Sequence, residues 1–341
     1  MKLIRTQDAV GHVLCHDLTR IVPGVTKDAA FRKGHIVTRE DIPLLLSMGK
    51  EHLYVWEKTP GMLHEDEAAE RLAGLCENQY MSRTPVKEGK IELRAEIDGL
   101  FLVDVQRLFA VNCQPQLMIA TRHTNTLVRK GDKLAGTRII PLVIEEEALA
   151  AAERAAGGTP LLELLPLKRT TAAIIATGSE VHLGRIQDAF TPILTQKLAQ
   201  VGVKVLFQTT APDDREEILK AIAAARASGA EMILCTGGMS VDPDDQTPGA
   251  IKQTGARVVS YGAPVLPGAM FLLAYFEDGT PVLGLPGCVM YAAATIFDLV
   301  LPRVAAGVEL TRRDITRMGA GGLCLGCPVC TYPNCGFGKG V

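Results

Sequence analysis

From Thr170 onward the chain alternates short apolar runs with amphipathic stretches, and each apolar run ends in a loop rich in glycine, threonine or aspartate. Ala172 to Ala176 is wholly apolar, as a strand covered on both faces must be. Arg185 to Gln200 has helical periodicity and stops near Gly202. Val203 to Gln208 reads as the next strand. Asp213 is placed as the N-cap of a following helix, with Glu216 at its third position, and Gly229 ends that helix. Glu231 to Cys235 is a third strand. Thr247-Pro248 supplies an N-cap and a proline in the first turn of another helix. Strands alternating with helices build parallel βαβ units, so the expected fold class is α/β: a three-layer α/β/α domain on a mostly parallel sheet.

Upstream the pattern is mixed. With 341 residues the chain is long enough for two or three domains. Residues 1–60 read as a small mixed α/β module. In it Thr38 is placed to cap a helix that carries Asp41 and closes at Gly49, and His52 to Trp56 reads as a strand. A turn at Thr59-Pro60-Gly61 opens a mixed α+β middle region, 61–167. It holds a helix over His64 to Glu77, two short strands around Lys130-Gly131-Asp132 and a helix over Glu145 to Ala156. The break at Gly157-Gly158-Thr159-Pro160 precedes the main domain, 168–310, and a cysteine-rich tail fills 311–341.

In open α/β sheets ligands sit beyond the carboxyl ends of the strands, so three loops are the candidate site. The first is Thr177-Gly178-Ser179-Glu180, where glycine permits close backbone approach and hydroxyls and amides suit phosphate oxygens. An ordinary strand-to-helix turn is the competing reading. The second is Ala211-Pro212-Asp213-Asp214. With Asp213 committed as a cap, Asp214 is the residue free for a metal or a substrate hydroxyl. The third runs from Thr236-Gly237-Gly238 through Ser240, Asp242, Asp244 and Asp245 to Thr247-Pro248. A glycine pair after a buried strand makes an anion cradle, and three carboxylates within four residues imply a cation, Mg²⁺, between them and any phosphate.

The pattern strand-T-G-G-x-S-V-x-x-x-D-x-T-P resembles the signature of the molybdopterin-binding domain shared by molybdopterin adenylyltransferases and molybdenumtransferases. The Thr-Gly-x-Glu loop, the Pro-Asp-Asp helix start, the Gly262 to Gly268 loop with Pro267-Gly268, and Leu285-Pro286-Gly287 follow in the family order, over about 140 residues. A helix is expected from Pro286-Gly287 to Leu301-Pro302. The resemblance implies that Thr177, Gly178, Ser179, Glu180, Thr236, Gly237, Gly238, Ser240, Asp242, Thr247, Pro267, Gly268, Pro286 and Gly287 hold molybdopterin or its adenylate. It also implies that Asp214 and Asp245 position Mg²⁺ and water during adenylyl transfer or hydrolysis, in a protein that carries out adenylyl transfer or molybdenum insertion. Two departures bear on catalysis more than on binding. Asp242 stands where the family often has glycine, and Cys288 replaces the asparagine of Pro-Gly-Asn-Pro. The N-terminal half is similar to a molybdenumtransferase at Arg39 to Gly49 but lacks its Ser-x-Met-Asp-Gly-Tyr-Ala segment, as in a divergent relative. The alternative function is a non-enzymatic molybdopterin carrier or sensor. Homo-oligomers, and a molybdoenzyme or another cofactor-assembly protein as partner, are implied in the same way.

Five of the nine cysteines are scattered. Cys324, Cys327, Cys330 and Cys335 lie within twelve residues. Four thiolates at that spacing suit an Fe–S cluster or a zinc ion equally; a reduced tail or a disulfide pair is the bland reading. A formal charge of −2 gives no basic field for nucleic acid or an anionic membrane. The N-terminus has no apolar signal-like stretch and no run is long enough to span a bilayer, so the expected location is cytoplasmic.

Overall fold

The computed structural model describes residues 2–22, 26–55, 60–240 and 242–340. Trp56, Thr59 and Val241, which figure in the expected strand, turn and glycine-pair signature, lie outside the described residues. The chain forms two compact units. One comprises 1–94, 104–122 and 133–163; the other comprises 95–103, 123–132 and 164–341. The second therefore contains three stretches from the span read as the middle region, 95–103, 123–132 and 164–167. Among the described residues no helix is long and apolar enough to cross a membrane.

The first unit is mixed α+β. Lys2–Arg5 pairs antiparallel with His52–Val55, and Leu14, Phe31, Val37, Leu45 and Leu53 make a small core there. Its first helix spans Asp41–Ser47 and closes as expected at Gly49, whose amide donates to the Leu46 carbonyl at 2.9 Å. Thr38 lies outside that helix. Its amide donates to the Asp41 carboxylate at 2.8 Å, which is the reverse half of a capping exchange. A sheet ordered 81–83, 90–95, 133–139, 117–121 and helices over Glu65–Gly74, Val105–Asn112 and Glu146–Ala156 complete the unit.

The second unit carries the three-layer α/β/α domain. Its strands are β1 (Thr171–Thr177), β2 (Lys204–Ala211), β3 (Ile233–Thr236), β4 (Arg257–Tyr261), β5 (Leu272–Tyr275) and β6 (Pro281–Leu285), in the sheet order β2-β1-β3-β6-β5-β4. β2, β1, β3 and β6 are parallel; β5 and β4 form an antiparallel edge. The helices are α1 (Ser179–His182), α2 (Phe190–Gln200), α3 (Arg215–Ala227), α4 (Thr247–Gln253), α5 (Ile296–Ala305) and α6 (Arg312–Arg317).

Period-two alternation sorts the strand residues onto two faces. Ala172 and Ile174 of β1, Leu234 of β3 and Leu273 of β5 pack with Leu194 of α2 and Phe297 and Val300 of α5. Ala173, Ile175, Ile233, Leu272 and Ala274 face the other way, against Ile218 and Ile222 of α3 and Ile251 of α4. Both faces being covered is why these strands read as unbroken apolar runs.

Two helices are shorter than expected, each for a local reason. α2 starts at Phe190 rather than Arg185 because the Asp188 carboxylate accepts from the amides of Phe190 and Thr191, at 2.8 and 3.1 Å. After Pro286 a 3₁₀ turn, Gly287–Met290, comes first. α5 begins afresh at Ile296, where Thr295 and Asp298 form a capping box.

Candidate functional site

β2 lies on one side of β1 and β3 on the other, so the order of connection reverses between β1 and β3. That reversal opens a crevice at the carboxyl edge of the sheet, the place where such folds bind ligands. Thr177 ends β1 and Thr236 ends β3. The Thr177 hydroxyl donates to the Thr236 carbonyl at 2.8 Å and shares a hydrogen bond with the Thr247 hydroxyl at 3.0 Å. All three threonines are buried. The floor of the crevice is thus tied by side chains from three segments. The Thr236 hydroxyl itself is buried with no hydrogen-bond partner among the described residues.

The glycine pair sits on this floor. Gly237 has φ of 82° and Gly238 of 53°, backbone conformations that side chains disfavour. A Cβ on Gly237 would meet the Thr177 carbonyl oxygen at 2.1 Å; one on Gly238 would lie 3.0 Å from the Thr247 hydroxyl and 3.7 Å from Asp213 Oδ1. The close approach that the sequence assigns to a ligand is therefore made first by the end of β1.

The cap position at the start of α3 falls to Asp214 rather than to Asp213. Asp214 is the N-cap: its carboxylate accepts from the amides of Glu216 and Glu217, each at 3.0 Å, and it is exposed. Asp213 turns inward. Its Oδ2 accepts from the Ser179 amide at 2.8 Å, while its own amide donates to the Ser179 hydroxyl at 3.2 Å. The reason is geometric: the residue next to the first helical turn reaches its second and third amides, and here that residue is Asp214. The Gly178 amide adds a bond to the Ala211 carbonyl at 3.0 Å, so the first and second loops form one clasp. Asp213 is the polar side chain that the sequence reading missed. Asp214→Ala is expected to cost about 1 kcal/mol of stability, as loss of a helix cap does. Chemical denaturation measures it; no change in midpoint would refute the cap.

Thr247 is likewise displaced from its expected role. Gln246 occupies the cap position with no side-chain cap bond, and Thr247-Pro248 are the first two helical residues. The Thr247 hydroxyl serves the crevice floor instead.

The acidic turn closes on itself. Asp245 Oδ2 accepts from the Ser240 amide at 2.7 Å, and the Asp245 amide donates to the Asp242 carbonyl at 2.9 Å. Met239 anchors the loop over β6, where a Cβ on Gly284 would lie 2.7 Å from its sulfur. From the end of β4 the Tyr261 hydroxyl donates to the Met239 carbonyl at 2.9 Å. Burial, and then the Asp245 carboxylate, push that hydroxyl above its ordinary pKa, so Asp245 is near enough to be felt. Tyr261 is a second residue not singled out in the sequence, although a tyrosine closing a strand before a glycine loop is a readable signal. Asp242, Ser240 and Glu180 are exposed.

Pro286-Gly287 follows directly on β6, whose Leu285 is the register neighbour of Thr236, and so lies beside the glycine pair. The Pro267-Gly268 loop leaves the same edge of the sheet after β4. Its immediate task is structural: the Ile296 amide donates to the Pro267 carbonyl at 3.2 Å, and a Cβ on Gly268 would lie 2.4 Å from Ile296 Cγ2. Burial pushes the Cys288 thiol up, which keeps it protonated near neutral pH.

The four tail cysteines are not gathered. Cys327 and Cys330 are exposed, while Cys324 and Cys335 are partly buried against the layer of α2 and α5. The tail is spread along the domain: the Leu266 amide donates to Gly322 and the Cys324 amide to Leu266, each at 2.8 Å, and the Tyr332 hydroxyl donates to the Asp298 carbonyl at 3.1 Å. Among the described residues no three histidine, cysteine, aspartate or glutamate side chains come together as a metal site, and no disulfide forms.

Residues 173–306 match the family described as a probable molybdopterin binding domain, and residues 3–57 match a domain of unknown function. A molybdopterin molybdenumtransferase of Synechococcus elongatus is 28% identical over 171 residues, 47% of this chain and 40% of that protein. A putative competence-damage inducible protein of a Geobacillus species is 40% identical over 88 residues, 26% of this chain and 20% of that protein. The chain thus spans less than half the length of these curated relatives. Among solved structures, the tungsten cofactor synthesizing protein MoaB from Pyrococcus furiosus aligns at 21% identity over 42% of this chain and 98% of that chain, with a TM-score of 0.35. The match to the probable molybdopterin binding domain family and the loop motifs that resemble it fall on the same segment, residues 173–306.

Proposed function

We propose that the crevice between β1 and β3 binds molybdopterin or its adenylate, and that the protein acts in molybdenum-cofactor assembly. The observation that supports this is the convergence of Thr177, Gly237, Gly238, Thr247 and Asp213 on one floor at the strand-order reversal. Backbone amides at strand ends suit a phosphate, and Asp213 and Asp245 flank them. Among the described residues no three acidic side chains gather there, so Mg²⁺ would rest on one or two carboxylates and on the phosphates of the ligand, a common way of holding that ion. With it bound, the cation supplies charge neutralisation; the chain's own residues orient the ligand. The tail takes no part in this reading.

The test is a fluorescence titration with purified molybdopterin. Wild type and Asp214→Ala should bind alike, and Asp213→Ala and Asp245→Ala should bind at least about tenfold more weakly, the loss of one or two charge-assisted bonds. Equal binding by all four chains would refute the site. Turnover with Mg-ATP, or with adenylylated molybdopterin and molybdate, then separates an enzyme from a carrier.

A further inference from the structure

Away from the strand ends, the second unit holds a cavity of about 340 Å³ on the flank of α2 and α5. That size is within the range of small-molecule sites. Its walls mix apolar and charged groups, among them Leu299, Tyr332 and Phe337, and the cysteine-rich tail supplies one side of it. The charges do not balance. Among the described residues the only carboxylate in the lining, Asp298, is engaged by Lys197 at 2.5 Å and by the Thr295 amide at 2.7 Å. Arg129 is paired with Asp98 at 2.8 Å. Two cations remain, Arg303 and Lys339.

Arg303 Nε is buried with no hydrogen-bond partner among the described residues. The carboxylate that acts on it, Asp314, accepts from the Thr311 amide at 2.8 Å and from the Thr311 hydroxyl at 2.5 Å and forms no ion pair with it among the described residues. Burial lowers the guanidinium pKa, but arginine keeps its proton in proteins. Arg303 is only partly buried as a residue, but a buried donor such as its Nε, without an acceptor, calls for one.

We propose that this cavity binds a small organic anion, with its phosphate or carboxylate on Arg303 and Lys339 and its apolar body against Leu299, Tyr332 and Phe337. The site is independent of the crevice at the strand ends. It also links the tail to ligand: an occupant bridges α5 and the segment that carries Lys339.

Calorimetric titration of the full chain with phenyl phosphate, benzoate and phenol tests it. Phenyl phosphate is expected to bind one to one, and phenol not at all. Benzoate is the weaker ligand if the head group is a phosphate and the stronger if it is a carboxylate. Arg303→Gln should weaken binding at least about tenfold and Lys339→Gln several-fold, since each removes a charge-assisted contact. Asp213→Ala should leave binding unchanged. No heat with either anion, phenol binding as well as the anions, or a Lys339→Gln chain that titrates like wild type would overturn the proposal. Lys339 lies on the tail surface layer, so that variant remains informative should Arg303→Gln fail to fold.

Discussion

Gly237→Ala is expected to unfold the three-layer α/β/α domain at denaturant concentrations that wild type withstands. Its Cβ would sit 2.1 Å from the Thr177 carbonyl oxygen and 2.9 Å from the Thr177 hydroxyl. The obstacle is backbone at the end of a buried strand, so it cannot swing aside. Strain from φ of 82° adds to the overlap. Each effect alone is worth roughly 1–3 kcal/mol, so about 4 kcal/mol together is the expectation. Gly255→Ala is the control. It has nearly the same φ, 81°, but nothing within 4 Å of its Cβ. It isolates the strain, which should cost about 1 kcal/mol. Urea denaturation followed by circular dichroism compares the two. Equal midpoints would mean that the glycine pair is required only for its torsion angles.

Glu65→Gln is expected to stabilise the first unit increasingly as pH rises from about 4.5 to about 7, with the full gain kept above neutral pH. Glu65 opens the helix Glu65–Gly74 and is 8% exposed. Burial, followed by the neighbouring Asp66 carboxylate, raises its pKa from 4.5 to about 7, against the smaller opposing pull of Arg138 and Lys33. Below pH 4.5 the carboxyl is protonated in folded and unfolded chains alike, and ionisation costs nothing. As pH rises the unfolded chain loses its proton first. Between the two pKa values the penalty grows by about 1.36 kcal/mol per pH unit to about 3 kcal/mol, and past pH 7, where the folded chain holds a buried charge, it stays constant. The glutamine variant should escape it. His16 and His64 are shifted downward by burial and act in the opposite sense, since their neutral forms favour the fold as pH rises. The difference between wild type and variant removes their share. A difference that stays flat from pH 5 to pH 8.5 would refute a buried carboxylate.

Much of the second unit was legible because its strands are covered on both faces. Ala172 to Ala176 reads as a strand without reference to anything distant, and the loop after it must then lie at a sheet edge. Gly237 and Gly238 were found for the same reason. What escaped depends on choices between near-equal neighbours or on remote contacts. Asp213 and Asp214 are adjacent and chemically identical; which of them caps is decided by where α3 starts, a matter of one residue. The capping box at Thr295 and Asp298 was readable and marks the true start of α5. By contrast, that 95–103 and 123–132 belong with the second unit depends on partners such as Gln200, whose carbonyl accepts from Arg129 at 2.9 Å, and no local pattern encodes it. The cavity beside Arg303 was invisible for the same reason, since its walls come from segments far apart in the chain.

The contact between Gly237 and the end of β1 has a kinetic corollary. A turn wedged against a strand terminus is not free to swing between open and closed forms, so a ligand at the proposed site would meet a seat whose shape was set when the sheet assembled. Little ordering entropy is then left to lose on association at that spot. Encounter should be governed by diffusion and by the exposed rim at Glu180, Ser240 and Asp242, and discrimination between related ligands should reside in that rim rather than in the turn beneath it.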